Sequence, residues 1–457
     1  MSDNVYCIVS IAEGKTVSFQ ARCSATAKPG ETVSGKEVDG VIRVEEVRGG
    51  DYPEYQDAIE ALSETIVGRS AKRSMVEGLD IPTSNMNGAL RKSALLLCKK
   101  LISGAPIVVR FHNDSDGASG GYALYTHIEK MLNSNVFRGK PRIVWKMQKG
   151  IAYSEYDAQN DILTFNNYDC LEKPLLLCLD FGTSEESNAG ISSIKEKFDI
   201  IWLDHHPPNG GFDVCSLGNY INPWNFGGDS NYTAGFLSSK FGDFLSDVDC
   251  SCVEDASFIG DYSIYAKRTK CGFDTSLILD MITGDRAIAF GTRGDITPAE
   301  IGIILGNENR KAELAGFAKS KLDEALDSGF GALRKYSASG AEIYSLDFNN
   351  VRDEQSTDRY PMPGRFASKM LERIEQNTKN PAVLILYFGK FVSVRLGAGA
   401  KESIDMAQII KKLREENDNI DSGGGHANAA SIRMINEEGR AVVIASLIEE
   451  MKKALEK

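Results

Sequence analysis

Several features that mark secreted, membrane-spanning or zinc-binding proteins are missing from this sequence. There is no apolar run of about 18 residues or more, which a helix needs to cross a bilayer. The N-terminus lacks a basic start followed by an apolar stretch, so we expect no signal peptide and a cytoplasmic protein without a membrane partner. The nine cysteines contain no C-x-x-C spacing and none follows Cys271, which argues against a disulfide framework and a zinc finger.

Positive charge is also in deficit, because the net charge of the 457 residues is −12. A protein that coats nucleic acid through its overall charge is therefore disfavoured. A nuclease is not, since metal-holding carboxylates add to the negative count and a phosphate-bearing substrate needs only a local basic channel. The length allows two or three domains, enough for a catalytic domain and a separate substrate-binding one.

Near-continuous apolar runs alternate with helical stretches from Ala105 onward. The runs are 107–109, 143–145, 175–179 and 200–203. Such runs indicate a mainly parallel sheet covered on both faces, as in α/β domains. Ligands bind beyond the carboxyl ends of strands in these sheets, so the polar residues that follow the runs are the candidate site.

The remaining sequence predicts further modules around this α/β domain. The predicted divisions are a small β-rich N-terminal module with a helix (1–85), the catalytic domain (86–307), a long linking helix (308–335) and a smaller α/β C-terminal domain (336–457). Thr297-Pro298-Ala299-Glu300 predicts a helix start with a capping box. The C-terminal domain should contain a helix at 365–376, a hairpin of strands 383–388 and 391–396, and a glycine cluster at 423–425.

The first polar cluster follows the run 107–109 and contains His112, Asp114 and Asp116. In an extended chain these three residues share parity and project to one side, as metal ligands would. Asp114-Ser115-Asp116-Gly117 also favours an Asx-rich turn between a strand and a helix. The residues alone do not decide between the two interpretations.

Further acidic and histidine residues end the next runs. Asp180 follows 175–179, although a lone aspartate at this position more often caps a helix. Asp204-His205-His206 follows 200–203 and offers one imidazole as a ligand, a second for phosphate and a carboxylate to fix a tautomer. Asp261 would by itself be interpreted as a turn residue.

Histidine is scarce, with five in the whole chain. Three of them, His112, His205 and His206, lie in these clusters, and His426 follows three glycines. His127 falls within a predicted helix and is expected to be a structural or surface residue.

The order of these motifs resembles the DHH superfamily of phosphoesterases, in its RecJ-like form with a DHH-associated C-terminal domain. In chain order the motifs are His112-x-Asp114-x-Asp116-Gly117, Asp180, Asp204-His205-His206, Gly260-Asp261 and Gly423-Gly424-Gly425-His426. The resemblance covers 105–435, about three quarters of the chain. Each motif alone is weak, but five in the right order with their strand context are specific.

The resemblance implies two divalent ions, Mn²⁺ first and Mg²⁺ as the alternative, because the ligands are oxygen-rich with two imidazoles. The ligands of one ion would be His112, Asp114 and Asp180. The ligands of the other would be Asp116, Asp180, His205 and Asp261. Asp180 would therefore bridge both ions.

The resemblance also implies roles around the ions. Asp204 would orient a neighbouring group, and His206 would face the scissile phosphate. Arg395 would clamp a substrate phosphate, which Gly423, Gly424, Gly425 and His426 would also bind through backbone N–H groups and the imidazole. A flexible glycine turn with a surface arginine is the alternative interpretation. The sequence Ala427-Asn428-Ala429-Ala430 departs from the family, whose members commonly have a glycine after the alanines.

From the resemblance we expect a two-metal phosphodiesterase. The specific expectation is a RecJ-like exonuclease that degrades single-stranded DNA or RNA to mononucleotides. The alternatives are a phosphodiesterase for short oligonucleotides, phosphoadenosine phosphate or cyclic dinucleotides, and a replication scaffold of the Cdc45 kind. Replication or repair proteins are the expected partners in addition to the nucleic acid.

A basic stretch between the motifs has two interpretations. It contains Phe137, Arg138, Lys140, Arg142, Trp145, Lys146 and Lys149. Basic residues with interleaved aromatics suit a track for single-stranded nucleic acid. A core tryptophan flanked by solvated lysines is an equally good interpretation.

Overall fold

The computed structural model describes residues 4–12, 15–23, 32–38, 41–48, 52–70, 83–133, 141–165, 168–169, 172–182, 184–208, 211, 213, 217–338, 340–351, 359–426 and 429–455. The chain forms two compact units, Met1–Leu279 with Asp295–Lys311 and Asp280–Gly294 with Ala312–Lys457. Among the helices in the described ranges, none has both the length and the hydropathy that a membrane crossing requires.

The strands are β1 (Asn4–Ala12), β2 (Lys15–Cys23), β3 (Thr32–Val38), β4 (Val41–Arg48), β5 (Ile107–His112), β6 (Ile143–Gln148), β7 (Tyr168–Asp169), β8 (Leu175–Leu179), β9 (Asp199–Leu203), β10 (Asn219–Ile221), β11 (Arg334–Ala338), β12 (Ala341–Asp347), β13 (Ala382–Phe388), β14 (Phe391–Leu396), β15 (Ile420–His426) and β16 (Ala429–Met434). The helices are α1 (Tyr52–Ser70), α2 (Thr83–Ser103), α3 (Ser115–Leu132), α4 (Glu155–Thr164), α5 (Asn188–Ile194), α6 (Ala234–Gly242), α7 (Ser251–Gly260), α8 (Phe273–Gly284), α9 (Ala287–Phe290), α10 (Pro298–Leu305), α11 (Glu308–Gly331), α12 (Pro363–Asn377), α13 (Met406–Glu416) and α14 (Arg440–Leu455).

A parallel sheet with the strand order β10-β9-β8-β5-β6 lies at the centre of the first unit. The four predicted apolar runs form β5, β6, β8 and β9, and β8 is buried along its whole length. The predicted α/β class with a mainly parallel sheet is therefore confirmed. The short strand β10 escaped prediction because three residues, two of them polar or amphipathic, carry no apolar pattern.

A second sheet of the first unit has the order β3-β4-β2-β1-β7 and contains the predicted β-rich N-terminal segment. Strand β7 comes from the middle of the chain and pairs in parallel with β1, Val5 opposite Tyr168. The N-terminal strands thus share a sheet with residues of the predicted catalytic domain. Nothing in a two-residue strand predicts such a pairing, since its partner lies far away in the sequence.

A six-stranded mixed sheet, in the order β11-β12-β13-β14-β16-β15, forms the second unit with α12, α13 and α14. The predicted hairpin is present as β13 and β14, turning at Gly389 with a positive φ of 47°. One prediction needs correction. The long helix α11 ends at Gly331, where glycines weaken the helix, and Lys335 lies in β11. The glycine cluster lies in strand β15, paired with β16, so the alternative interpretation as a flexible glycine turn is wrong.

A buried charge network ties β5 to α4. The Arg110 guanidinium donates to both carboxylate oxygens of Asp161, over 2.8 and 2.9 Å. Asp161 also accepts hydrogen bonds from Lys146 Nζ at 2.7 Å and from the Tyr153 hydroxyl at 2.9 Å. Because β5 ends at His112, this network holds the strand that delivers the first of the predicted metal ligands.

The predicted structural role of His127 agrees with its position inside α3. Its side chain is fully buried, and its Nδ1 lies 3.1 Å from the Ser246 carbonyl oxygen, which requires the N–H on that nitrogen. Burial is the main cause that lowers the pKa of His127 to about 4. In the folded chain the pKa of this histidine is therefore below its ordinary value in an unfolded chain.

This shift predicts a pH-dependent stability. Between about pH 6.5 and pH 4 the folded chain binds fewer protons at His127 than the unfolded chain, so the neutral imidazole stabilises fully above that window and less as the pH falls. Comparing His127→Gln with the native chain by urea unfolding, we expect the stability difference to shrink by about 2 kcal/mol from pH 7 to pH 5. A difference that stays constant with pH would contradict the buried neutral form.

Candidate metal centre

Three neighbouring strands of the parallel sheet end at the predicted polar clusters. Strand β5 ends at His112, and Asp180 and Asp204 directly follow β8 and β9. The Asp180 N–H donates to the Leu203 carbonyl over 3.0 Å and the Asp204 N–H donates to the Ile221 carbonyl over 3.1 Å. These bonds continue the strand pairing by one residue, so the carboxyl ends of β5, β8 and β9 meet at one edge of the sheet.

Asp180 lies at the middle of the cluster. Its carboxylate is buried, and within the described ranges neither of its oxygens meets a hydrogen-bond donor. One oxygen is 3.8 Å from His112 Nδ1 and the other is 3.3 Å from His205 Nε2. Burial, together with the carboxylates of Asp116 and Asp114, raises the pKa of Asp180 well above its usual range. A buried carboxylate without a donor is a group that a cation would satisfy.

Asp114 serves two purposes at the start of α3. One carboxylate oxygen accepts the Gly117 N–H over 3.0 Å and so caps the helix, while the other lies 2.7 Å from His112 Nδ1. Burial opposes ionisation, but the neighbouring His112 imidazole lowers the pKa of Asp114. The two interpretations of the sequence, an Asx cap and a metal ligand, are therefore compatible because each uses a different oxygen. A Cβ at Gly117 would lie 2.5 Å from the His112 carbonyl oxygen, so the turn requires glycine.

Asp116 points into the core and is held by the N-terminus of α6. The Ala234 and Gly235 N–H groups donate to its two oxygens over 2.8 and 2.6 Å, which places a carboxylate at the positive end of a helix. Its Oδ2 also lies 3.5 Å from His205 Nε2. Burial, and the nearby carboxylates of Asp261 and Asp114, raise the pKa of Asp116 to about 8.

The His205 ring is fully buried and fixed in one tautomer. Its Nδ1 lies 2.7 Å from the Ser230 carbonyl oxygen, which can only accept, so Nδ1 carries the proton. Nε2 then faces Asp180 and Asp261 at 3.3 Å each. A backbone carbonyl that sets the tautomer of an imidazole facing carboxylates is the usual support of a metal-binding histidine.

Asp204 and His206 have a different arrangement. One Asp204 oxygen accepts the N–H groups of His205 and His206 over 2.8 and 3.3 Å and lies 2.7 Å from His206 Nδ1. Burial opposes ionisation, yet the two imidazoles lower the pKa of Asp204. The His206 side chain is 38% exposed, whereas His205 is fully buried. Asp204 therefore orients His206 toward the open side of the cluster.

Replacing Asp204 by Asn separates this orienting role from ion binding. The amide keeps an oxygen for the backbone N–H groups but loses the charge that holds the His206 ring. For the hydrolase activity proposed below, we expect turnover to fall about 10- to 100-fold, with a much smaller change in Mn²⁺ affinity measured by calorimetry. His206→Gln should show the same pattern. If Asp204→Asn lowers Mn²⁺ affinity as far as it lowers turnover, Asp204 is a ligand instead.

The donor atoms of the cluster fit divalent cations. Within each of three groups the candidate ligand atoms lie within 4.8 Å of one another. The groups are His112, Asp114 and Asp180; Asp116, His205 and Asp261; and Asp180, Asp204, His205 and His206. Carboxylate oxygens with few imidazoles and no thiolate suit Mn²⁺ or Mg²⁺. The structure thus brings all six predicted metal ligands together, with Asp180 between the two sets.

The most exposed side chains of the cluster are those of Asp114, Asp261 and His206. The exposed fractions are 40% for the Asp114 side chain, 31% for Asp261 and 38% for His206. The other side, formed by Asp116, Asp180 and His205, is closed. A ligand can therefore approach the cluster from the side of Asp114, Asp261 and His206.

The predicted phosphate-binding residues lie in the second unit. Arg395 of β14 is opposite Ala429 of β16, and His426 of β15 is opposite the same Ala429. Arg395 also donates to the Ser393 hydroxyl over 3.0 Å. The side chains of residues 424–428 are outside what the structure describes. A role of Arg395, Gly423, Gly424, Gly425 and His426 in phosphate binding stays a prediction.

Sequence reasoning missed the groups that support the ligands. They are the Ser230 carbonyl and the Ala234 and Gly235 N–H groups. Every residue has a main-chain carbonyl and nearly every residue has a main-chain N–H, so the residue types in the sequence do not show which of them will contact a ligand side chain. The signal that was present is Thr233 before α6, the N-cap residue of a helix start.

The basic stretch 137–149 is only partly described, since residues 134–140 lie outside the described ranges. Trp145 packs edge-on against Tyr125, with 5.7 Å between ring centroids. Lys146 is paired with Asp161, and Lys149 lies 2.7 Å from Asp295. Two of its lysines therefore have carboxylate partners, which favours the interpretation as ordinary core and surface residues.

Comparisons with known proteins extend these observations. No family model matches the chain. An uncharacterized protein of Methanocaldococcus jannaschii is 25% identical over 408 residues, a match that covers 78% of this chain and 52% of that protein. This chain thus spans about half the length of the curated relative it matches.

Solved structures show the fold. The DHH domain of a protein from a family of ribosomal proteins matches with a TM-score of 0.67 and 21% identity, covering 87% of this chain and 99% of that one. RecJ from Thermus thermophilus in complex with Mn²⁺ matches with a TM-score of 0.48 and 16% identity, covering 87% and 59%. The first of these matches shows that this chain has the fold of that DHH domain.

Proposed function

We propose that the chain is a two-metal-dependent phosphodiesterase. The observation that carries the proposal is Asp180, whose two buried oxygens lack donors within the described ranges and face His112 on one side and His205 on the other. When bound, a pair of divalent ions supplies hydroxide near neutral pH and offsets charge on the attacking and departing oxygens of a phosphate. No side chain then needs to act as a covalent nucleophile.

The residues of the chain have distinct tasks in this proposal. Ser230 keeps the Nδ1 proton on His205, so that Nε2 presents a lone pair to a cation. The N-terminus of α6 donates two N–H groups to Asp116, which favours its carboxylate form and offsets part of the cost of burial. His206, held by Asp204, donates to a non-bridging oxygen of the scissile phosphate from the exposed side.

The finer proposal is a RecJ-like exonuclease that releases mononucleotides from single-stranded DNA or RNA. The shared position of Arg395 and His426 on either side of Ala429 supports a phosphate-binding pair in the second unit. Every ligand of the predicted set is present in the cluster, which supports an enzyme over a scaffold.

End-labelled single strands of DNA and RNA, and a dinucleotide, test both levels of the proposal. We expect hydrolysis in Mn²⁺ or Mg²⁺, none in chelator, and mononucleotides as the product of long strands. Hydrolysis of the dinucleotide alone would overturn the exonuclease assignment. No metal-dependent hydrolysis of any of the three substrates would overturn the phosphodiesterase itself.

A further inference from the structure

A second basic and aromatic segment begins directly at the candidate metal centre. Residues 262–270, called here the basic segment, have the sequence YSIYAKRTK and follow Asp261, whose Oδ2 lies 3.3 Å from His205 Nε2. No aspartate or glutamate occurs from residue 262 to 273. In a chain of net charge −12 this is a local concentration of positive charge beside the cluster.

The basic segment is anchored by its inward-facing residues. Tyr265 is buried and packs against Tyr232 and Phe258, with ring centroids 5.2 and 5.7 Å away. The Ser263 hydroxyl donates to the Asn231 carbonyl over 2.7 Å and accepts the Tyr265 N–H over 3.1 Å. At the other end, the Lys270 N–H donates to an Asp255 oxygen over 2.9 Å. The backbone is therefore ordered before any ligand arrives, which lowers the entropic cost of binding.

The remaining side chains of the basic segment reach solvent. Tyr262 and Ile264 are 41% and 59% exposed, and Lys267, Arg268 and Lys270 are exposed as well. In the part of the chain that the structure describes, no carboxylate pairs with the ammonium groups of Lys267 and Lys270. This distinguishes them from Lys146 and Lys149, whose charges are offset by carboxylates.

Tyr262 adds a second observation at the same place. Its backbone has a positive φ of 53°, which is costly for an aromatic residue and occurs mainly where function requires it. Tyr262 directly follows Asp261, and its side chain is 41% exposed. An exposed tyrosine beside a row of cations is the combination that binds the bases and the backbone of single strands.

We propose that the basic segment binds the backbone of a single-stranded polynucleotide whose scissile phosphate lies at the candidate metal centre. Tyr262 stacks on a base near that phosphate, and Lys267, Arg268 and Lys270 contact phosphates farther along the strand. The inference rests on the phosphodiesterase proposed above and specifies its substrate class. A dinucleotide is too short to reach the three cations, so the segment favours longer strands.

Charge reversal of the three cations tests the proposal. For Lys267→Glu/Arg268→Glu/Lys270→Glu, we expect the affinity for a strand of roughly 20 nucleotides to fall about 100-fold at low salt. The slope of log affinity against log salt should become shallower by about 2, because each lost phosphate contact removes about 0.7. The loss in kcat/KM should be at least about tenfold greater for the strand than for a dinucleotide.

A matched control reverses three lysines at the opposite edge of the parallel sheet. Lys173 precedes β8, and Lys195 and Lys197 precede β9, so all three lie near the amino ends of the strands. Lys173→Glu/Lys195→Glu/Lys197→Glu makes the same change in net charge and should leave strand affinity within about twofold of the native chain. If strand affinity falls equally in the two triple variants, the cause is the overall charge of the chain, and the proposal is overturned.

Tyr262 needs a substitution that tolerates its backbone. Asn accepts a positive φ, so Tyr262→Asn removes the ring without adding strain. We expect strand affinity to fall about tenfold in Tyr262→Asn and to be retained in Tyr262→Phe, which keeps the stacking face. Loss of affinity in both variants would contradict stacking.

Binding measured in chelator by fluorescence anisotropy separates this inference from the proposed function. If the native chain binds the strand and the triple variant does not, but neither hydrolyses it with Mn²⁺, only the phosphodiesterase is overturned. If both chains bind the strand equally, the basic segment is not its binding site, whatever the activity.

Discussion

Asp180→Asn is expected to abolish phosphodiester hydrolysis while leaving the metal-free chain folded. Asp180 has a positive φ of 68°, which Asn tolerates, whereas Ala would add about 1–2 kcal/mol of backbone strain. The substitution keeps the size of the side chain and removes one charge from the centre of the cluster. Turnover in Mn²⁺ should fall by roughly 10³-fold or more, because both ion positions lose their shared ligand.

The stability of the metal-free Asp180→Asn variant, in contrast to its turnover, should not fall below that of the native chain. Asp180 is buried close to the carboxylates of Asp116 and Asp114, which disfavour its charge. Removing that charge should leave the melting temperature in chelator unchanged or higher, while the increase that Mn²⁺ gives the native chain should disappear. Asp57→Asn, at an exposed position of α1, is the matched control. Near-native turnover of Asp180→Asn in Mn²⁺ would refute the bridging assignment.

Arg110→Met should produce the largest loss of stability outside the metal cluster. The substitution leaves Asp161, which is fully buried, with Lys146 as its remaining cationic partner. Breaking a buried ion pair on one side costs about 3–5 kcal/mol, because a charge stays in the interior without its partner. Urea unfolding of the metal-free chain measures this loss directly.

A double variant distinguishes charge from packing in this network. Adding Asp161→Asn to Arg110→Met removes the stranded carboxylate, so we expect the double variant to be more stable than Arg110→Met alone. If the double variant is the less stable of the two, the guanidinium contributes chiefly through packing. A loss below about 1 kcal/mol for Arg110→Met would show that Lys146 alone is a sufficient partner.

The parallel sheet and its site could be predicted because both depend on local patterns. Strands β5, β8 and β9 are buried on both faces, so their sequences are nearly continuous apolar runs, and their ends are marked by His112, Asp180 and Asp204. Asp261 was different. Without a strand before it, only the resemblance to a family selected it, and the structure places it at the C-terminus of α7 beside His205.

What prediction missed depends on contacts between distant residues. The ion pair of Arg110 and Asp161 spans 51 positions, and the pairing of Val5 with Tyr168 joins an N-terminal strand to one from the middle of the chain. The basic segment was overlooked for a related reason. Its residues can be recognised as a candidate binding site only because Asp261 lies close to His205, and the spacing of these residues in the sequence does not show that they are close.

The two hydrogen bonds that Asp116 accepts from the N-terminus of α6 can be removed by few substitutions. Both donors to its carboxylate are main-chain N–H groups, so a change of side chain at Ala234 leaves them in place. Proline is the one residue that removes such a donor, and Ala234 is the first residue of α6, where a helix accepts proline readily. Gly235 is closed to larger residues, because a Cβ there would lie 2.6 Å from the Ser257 Cβ. The hydrogen bonds to the Asp116 carboxylate thus depend on the backbone position of α6. Substitutions of other α6 side chains that keep this backbone in place should leave these hydrogen bonds intact.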